Sequence, residues 1–302
     1  MQPVMVYIVS DGKRGHLAQS RGLAQAIGRR IPTRTMEIDS DGKREAPQPP
    51  EDGGVILAAG SATHSLALSL RKYLGVPAVC LMNPGLIDRQ RFDLCVIPWH
   101  DGVNASNSVV ITEGALNVIL RAIDSSPKDG LILVGGPSKH HGWDPALLVK
   151  QIETLLQHDV EVSWTATDSR RTPRHTSSDL LKLSGESAGR LKYKPAIETP
   201  EGWVAEQLQR CGICWVSEDS VSMVYEALTA GAGVGLLSVP KLRSRAGRVV
   251  RGMDSLVEKG WVVTHAAWQQ GKALPVDRPG LAEADRVASI IIKRWFSPTE
   301  DA

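Results

Sequence analysis

Val4-Met5-Val6-Tyr7-Ile8-Val9-Ser10-Asp11-Gly12-Lys13-Arg14-Gly15-His16 is the stretch on which the fold turns. Its first six residues form an unbroken apolar run, the pattern of a strand covered on both faces, and the run stops at a glycine-flanked polar turn. A helical stretch begins near Leu17. Strand, turn and helix in that order gather backbone N–H groups and a positive dipole end at one point, where anions and polar ligands bind. Asp11, Gly12, Lys13, Arg14, Gly15 and His16 are therefore the first candidate site.

The same alternation continues outward from this loop. Apolar runs at 33–38, 55–59, 76–81 and 94–98 are interleaved with helical patterns at 17–30 and 61–74, and a short strand pattern at 109–112 precedes a helical stretch at 113–123. This is β-α-β logic and predicts a parallel sheet with right-handed crossovers. Asp124 to Gly130 has linker composition, which puts a first domain over 1–124 and a second over 125–302. The second restarts the alternation, with strands expected at 131–134, 160–165, 213–216 and 233–239. Helices are expected there at 145–157, 176–183, 201–210 and 220–230, with an amphipathic stretch at 243–259. A last helix at 281–296 is a candidate to pack back on the first domain. The predicted fold is α/β, two Rossmann-like doubly wound domains facing across a cleft, with ligands at the carboxyl ends of the strands.

Lys plus Arg number 35 against 33 for Asp plus Glu, and the resulting net charge of +2 is too small to draw a nucleic-acid partner by field alone. The N-terminus has no signal-peptide pattern and no apolar run is long enough to span a bilayer, so a cytoplasmic protein is expected. The basic stretch Lys241, Arg243, Arg245, Arg248 and Arg251 allows peripheral contact with the inner membrane, though such a stripe is more often a solvated face. Cys80 and Cys95 fall in apolar runs and are expected in the core. Cys211-Gly212-Ile213-Cys214 leads into a strand and has no partner pair, which argues against a zinc or redox site.

Each strand-to-helix loop is a candidate for chemistry. Gly135, Gly136, Ser138 and Lys139 follow the first strand of the second domain, where paired glycines let backbone amides approach a phosphate; a tight turn around Pro137 is the plainer alternative. Ser169, Arg170, Arg171 and Thr172 offer guanidinium and hydroxyl donors for a diphosphate, or form a solvated turn. Asp219, Ser220, Ser222, Met223 and Glu226 open a helix whose Val221, Val224, Tyr225 and Leu228 face the core. Asp219, Ser222 and Glu226 share another face, suited to hydroxyls or a base, with Asp219 as a plain N-cap the alternative. In the first domain, Gly60, Ser61 and Thr63 and also His100 and Asp101 occupy the matching positions. They are equally capping or turn residues.

Asp39-Ser40-Asp41 has D-x-D spacing but heads a Pro- and charge-rich stretch, so a turn is expected rather than a metal site. Ser40 to Arg44 repeats the pentapeptide of Ser10 to Arg14, yet only the first copy continues into Gly15-His16. G-x-G-x-x-G after the first strand, the P-loop, G-x-S-x-G and H-E-x-x-H are all absent, which sets aside dinucleotide enzymes, P-loop NTPases, α/β-hydrolases and zincins.

Six runs carry a resemblance: D-G-K-R-G-H at 11–16, P-W-H-D at 98–101, T-E-G-A-L-N at 112–117, G-G-P-S-K at 135–139, S-R-R-T-P at 169–173 and D-S-V-S-M-V-Y-E-A at 219–227. In that order they resemble the "elongated mitochondria" fission-factor family. Its bacterial members are described as glycosyltransferases of GT-B-like fold, its plant members as recruiting a dynamin-related protein to mitochondria. The resemblance implies a nucleotide-sugar donor bound by the second domain and an acceptor bound by the first, with no metal or other cofactor. Gly15-His16 is similar to the acceptor-side loop of cell-wall N-acetylglucosaminyl transferases, Gly135, Gly136 and Ser138 to their donor-phosphate loop, and Glu226 to their ribose-binding glutamate. His16 is then the expected general base or acceptor-positioning group. An adaptor on the same fold and a nucleotide-sugar epimerase are the alternative readings.

Overall fold

The computed structural model describes residues 2–41, 47–242, 248–276 and 278–297. The chain divides into two units, one of residues 1–118 and 282–302, the other of residues 119–281.

The first unit contains β1 (Val4–Ser10), α1 (Arg14–Gly28), β2 (Thr33–Asp39), β3 (Gly54–Ala59), α2 (His64–Leu74), β4 (Ala78–Leu81), the one-turn α3 (Leu86–Arg89), β5 (Leu94–Pro98) and β6 (Val109–Thr112). All six strands are parallel, in the order β2-β1-β3-β4-β5-β6. β1 hands on to β2 on one side and the chain returns to β3 on the other, so the topological switch lies between the ends of β1 and β3. Both sheet faces are covered: Val6 and Ile8 pack with Leu23 and Ile27 on one, Tyr7 and Val9 with Leu68 and Leu70 on the other. The C-terminal helix Glu283–Trp295 completes this unit. Its Val287, Ala288 and Ile291 join the Leu23–Ile27 layer, and each Val or Ile so buried contributes about 1.5–3 kcal/mol relative to exposure. Arg29 and Arg30 fasten its first turn through Asp285, at 3.1 and 2.5 Å.

The helix expected at 113–123 does not form. Thr112 turns back to donate to the Gly114 carbonyl at 2.7 Å, and Leu116 is buried in the α1 layer. A Cβ on Gly22 of α1 would lie 2.2 Å from the Asn117 carbonyl oxygen. The segment thus satisfies its apolar residues by lying directly against the backbone of α1, which only glycine permits.

The second unit contains β7 (Ser126–Leu133), α4 (Pro145–His158), β8 (Ser163–Thr167), α5 (Arg174–Glu186), β9 (Leu191–Lys194), α6 (Trp203–Leu208), β10 (Cys211–Ser217), α7 (Val221–Ala230), β11 (Gly233–Leu237), α8 (Arg248–Glu258), β12 (Val262–Thr264) and α9 (His265–Gln269). These strands are also all parallel, in the order β12-β11-β10-β7-β8-β9, which puts the switch between β7 and β10. Trp164 and Trp215 are fully buried in its core with Ile132, Leu148 and Ile152.

Here the structure departs from the sequence reading in three places. Residues 126–130, of linker composition, form the first half of β7, held at Ser126 against Cys211 and at Gly130 between Ile213 and Trp164. β9, β12 and α9 carry no apolar run long enough to announce them. β8 and β9 alternate rather than running apolar throughout, because one of their faces is not roofed by a full helix.

All four cysteines are free and buried. Of the basic stretch, Arg243 and Arg245 lie outside the described residues, as do Gly42 to Arg44 of the repeated pentapeptide. Lys241 Nζ lies 3.6 Å from Glu218 and 3.7 Å from Asp254. Among the described residues no helix is long and apolar enough to cross a membrane.

Candidate functional site

Where β1 ends, Ser10 Oγ accepts from the Gly12 amide at 3.1 Å and turns the chain toward α1. The Asp11 carboxylate, its side chain 4% exposed, accepts from the Lys13 amide at 3.2 Å and lies 3.1 Å from Lys13 Nζ. His16, in the first turn of α1, brings Nδ1 to 3.1 and 3.0 Å from the two Asp11 oxygens. Burial pushes the Asp11 carboxyl up, but the hydrogen bonds from Lys13 and His16 outweigh this and hold it below the usual carboxylate range. An ionised carboxylate only accepts, so Nδ1 is the nitrogen that donates in this contact, and in the neutral tautomer Nε2 keeps its lone pair.

Gly60 directly follows β3, on the other side of the switch, with φ of +89°. A Cβ there would lie 2.4 Å from the His16 ring and 3.2 Å from Asp11 Oδ2. The imidazole is therefore backed directly by a neighbouring strand end. The Thr63 hydroxyl donates to the Gly60 carbonyl at 2.7 Å and fixes that turn, whereas Ser61 is exposed. Arg14 and Gly15 are exposed at the start of α1. His100 and Asp101 lie in a single turn after β5, two strands beyond β3, so they do not join this group.

In the second unit the corresponding switch is closed by a hydrogen-bond network. Ser217, at the end of β10, accepts from the Gly135 amide and donates to Asp219 Oδ1, both at 2.7 Å. Asp219 Oδ2 accepts from the Gly136 amide and from Arg171 Nη2, both at 2.9 Å. Arg171 Nη1 also donates to the Gly136 and Pro137 carbonyls, and the Thr172 hydroxyl to that of Gly135. Side chains at Gly135 or Gly136 would collide with Asp219 or the Arg171 carbonyl at 2.2–2.3 Å. Three strand-end loops are thus tied into one platform, with the buried Asp219 carboxylate held at the Gly136 amide and, through Ser217, linked to that of Gly135. Asp219 is not a helix cap; Ser220 takes the N-cap position of α7.

Around this platform several groups remain open. Arg170 and Lys139 are exposed beside it, Ser222 is exposed and Met223 half-buried in the first turn of α7. Ser138 is turned inward, its hydroxyl accepting from the His140 and His141 amides at 3.2 and 3.1 Å. Glu226, one turn further along α7, is half-buried and desolvation pushes its carboxyl up to about 7. Ser169 serves the loop itself, accepting from the Arg171 amide at 3.2 Å.

Two residues that position the site had not been singled out in the sequence. Ser217 is a small polar residue closing an apolar strand run, and that abrupt change was the available signal. Asp168 accepts from Ser177 at 2.5 Å, Tyr193 at 2.6 Å and the Ala196 amide at 2.7 Å, anchoring the Ser169–Thr172 loop at its base. Its partners lie 9 to 28 residues away and carry no local pattern.

The model of the mitochondrial fission ELM1 family matches residues 14–295. The chain belongs to that family. No curated protein sequence matches it. Among solved structures, this ELM1-family chain is similar to the UDP-GlcNAc 2-epimerase of Neisseria meningitidis bound to UDP-GlcNAc, at TM-score 0.58 and 11% identity over 97% of this chain and 99% of that one. The UDP-GlcNAc 2-epimerase of Methanocaldococcus jannaschii superposes at 0.57 with 10% identity, over 97% and 100%. A glycosyltransferase from Rickettsia africae superposes at 0.50 with 9% identity, over 99% and 100%. At these identities the likeness is one of fold: two Rossmann-like units of the GT-B type, matched over nearly the whole chain.

Proposed function

We propose that this ELM1-family chain is a glycosyltransferase that moves a sugar from a nucleoside-diphosphate donor to a hydroxyl acceptor. The observation that carries the reading is the Asp11–His16 pair, in which a buried carboxylate holds Nδ1–H and leaves Nε2 with its lone pair. That arrangement leaves Nε2 free to act as a general base toward an acceptor hydroxyl. His16 Nε2 takes the proton of the acceptor hydroxyl as its oxygen bonds to the sugar's anomeric carbon; the bond to the diphosphate oxygen breaks and the diphosphate leaves with the electron pair.

The donor belongs to the second unit. Glu226 accepts from the ribose hydroxyls, and Arg170 and Lys139 bring fixed positive charge to the leaving diphosphate. Arg171 acts one step back, holding the Gly135–Gly136 turn and Asp219 in shape. With two cations and the N-terminus of α7 available for the developing charge, the reading requires no metal.

Calorimetric titration with a panel of nucleoside diphosphates tests this. At least one is expected to bind, and Glu226→Gln to weaken it about tenfold. Absence of binding from every member of the panel overturns the transferase reading in favour of an adaptor on the same fold. Conversion of the bound donor's sugar without any acceptor replaces it with an epimerase.

A further inference from the structure

β7, β8 and β9 are covered on one face by α4 and α5, whose Leu148, Ile152 and Leu180 pack with Trp164 and Leu191. Their opposite face is crossed by the β9-to-β10 connection, whose helix α6 has only six residues. Such a helix rises about 9 Å, whereas a five-residue strand such as β8 runs about 17 Å. The sheet is left partly unroofed, and the space is a cavity of about 460 Å³.

Its chemistry is one-sided. Strand alternation puts Ser163 and Thr165 of β8 and Lys192 and Lys194 of β9 on this face, with Thr165 paired in register to Lys192. Arg210 and the Trp203 indole line the side toward α6, and Lys194 Nζ stands 5.5 Å from the indole centroid. Asp129 is the one carboxylate in the lining, against three cations. Among the described residues neither Lys192 nor Arg210 has an ion-pair partner.

The geometry points to a second anion site in this unit, one that takes a phosphate-bearing small molecule. An apolar ligand would have to strip water from three charges and return nothing for it. A phosphate instead meets a guanidinium fork, two ammonium groups and a hydroxyl floor, the donor set that recognises it elsewhere. Trp203 then lies against the rest of the ligand. The site is separate from the strand-end platform: it reaches Arg210 and Cys211 where β10 begins, whereas Ser217 and Asp219 mark where β10 ends, about 20 Å away. It stands whether or not the transferase reading does.

Titration with inorganic pyrophosphate, followed by the Trp203 indole N–H resonance and assigned with Trp203→Phe, tests the site. The resonance is expected to shift in a saturable way. Lys192→Gln with Arg210→Gln, both at exposed positions, should weaken the response at least tenfold, while Arg171→Ala leaves it in place. A Trp203 resonance that does not move, or that moves equally in the double variant, overturns the proposal. So does a response lost in Arg171→Ala but kept in the double variant, which assigns the anion to the strand-end loops. Far-UV circular dichroism confirms that each variant is folded.

Discussion

Arg171 and Asp219, 48 residues apart, meet through one Nη2–Oδ2 contact of 2.9 Å at the switch point of the second sheet. The Asp219 side chain is fully buried and that of Arg171 is 46% exposed, so the two ends of this pair are unequal. Removing the arginine leaves the buried carboxylate without its counter-charge, held by the Gly136 amide and the Ser217 hydroxyl alone. Removing the carboxylate strands the Gly136 amide and the Ser217 hydroxyl as well.

Asp219→Ala is accordingly expected to cost about 2–4 kcal/mol, the range for leaving buried hydrogen-bonding groups unpaired, and Arg171→Ala, which strands a buried carboxylate, a comparable amount. Urea denaturation midpoints measure both. An Asp219→Ala protein within about 0.5 kcal/mol of the parent would show that the platform is not held by this carboxylate.

Asp11→Asn should leave the fold intact but remove the acceptor that keeps the His16 proton on Nδ1. Nitrogen chemical shifts of the imidazole are expected to report a move of that proton toward Nε2. Donor turnover should fall about 10²- to 10⁴-fold, the usual scale for a misoriented general base. Unchanged shifts would mean that Asp11 does not select the tautomer.

Gly60→Ala combines a φ of +89° with a Cβ 2.4 Å from the His16 ring. The strain and the clash together should cost about 1–3 kcal/mol. Because His16 supplies the clash, the cost should be smaller in the Gly60→Ala, His16→Ala double variant, and a double-mutant cycle reads the difference directly. Strict additivity would place the ring elsewhere.

Glu226 makes stability depend on pH. Burial raises its carboxyl from the usual 4.5 to about 7, so the folded state holds the proton more tightly than the unfolded chain. There is no penalty below pH 4.5; it grows as pH rises toward 7 and is then constant, at about 3 kcal/mol as an upper bound. Glu226→Gln removes it. The variant's gain in Tm over the parent should be near zero at pH 4.5 and largest at pH 8, and a gap that does not grow with pH contradicts this environment for Glu226.

The strands that build the two sheets were legible wherever both their faces are buried, as in β1, β3, β5 and β11, because burial on both sides demands continuous apolar sequence. The edge strand β9 was not, since an uncovered face admits Lys192 and Lys194 and erases the apolar run. The 113–123 segment misled for the opposite reason. Its apolar residues suit a helix, and what overrides that propensity is a glycine, Gly22, ninety residues earlier.

The strand-to-helix loops were legible as a set, because polar and glycine-rich turns punctuate apolar runs. Their partners were not. Sequence placed His16 and Asp11 on one loop, but it could not pair their side chains, bring Gly60 behind the imidazole or turn Asp219 onto the Gly136 amide.

By itself, then, the chain's pattern of apolar runs and turns determined the α/β class, the two doubly wound units and which loops crown the strands. Only the tertiary structure decided which of those loops meet, because the order of strands in a sheet, unlike their existence, is set by packing between residues far apart in the chain. That order put β3 beside β1 and β10 beside β7. It backed His16 with a glycine and filled the would-be anion nest of the second unit with the protein's own carboxylate, Asp219.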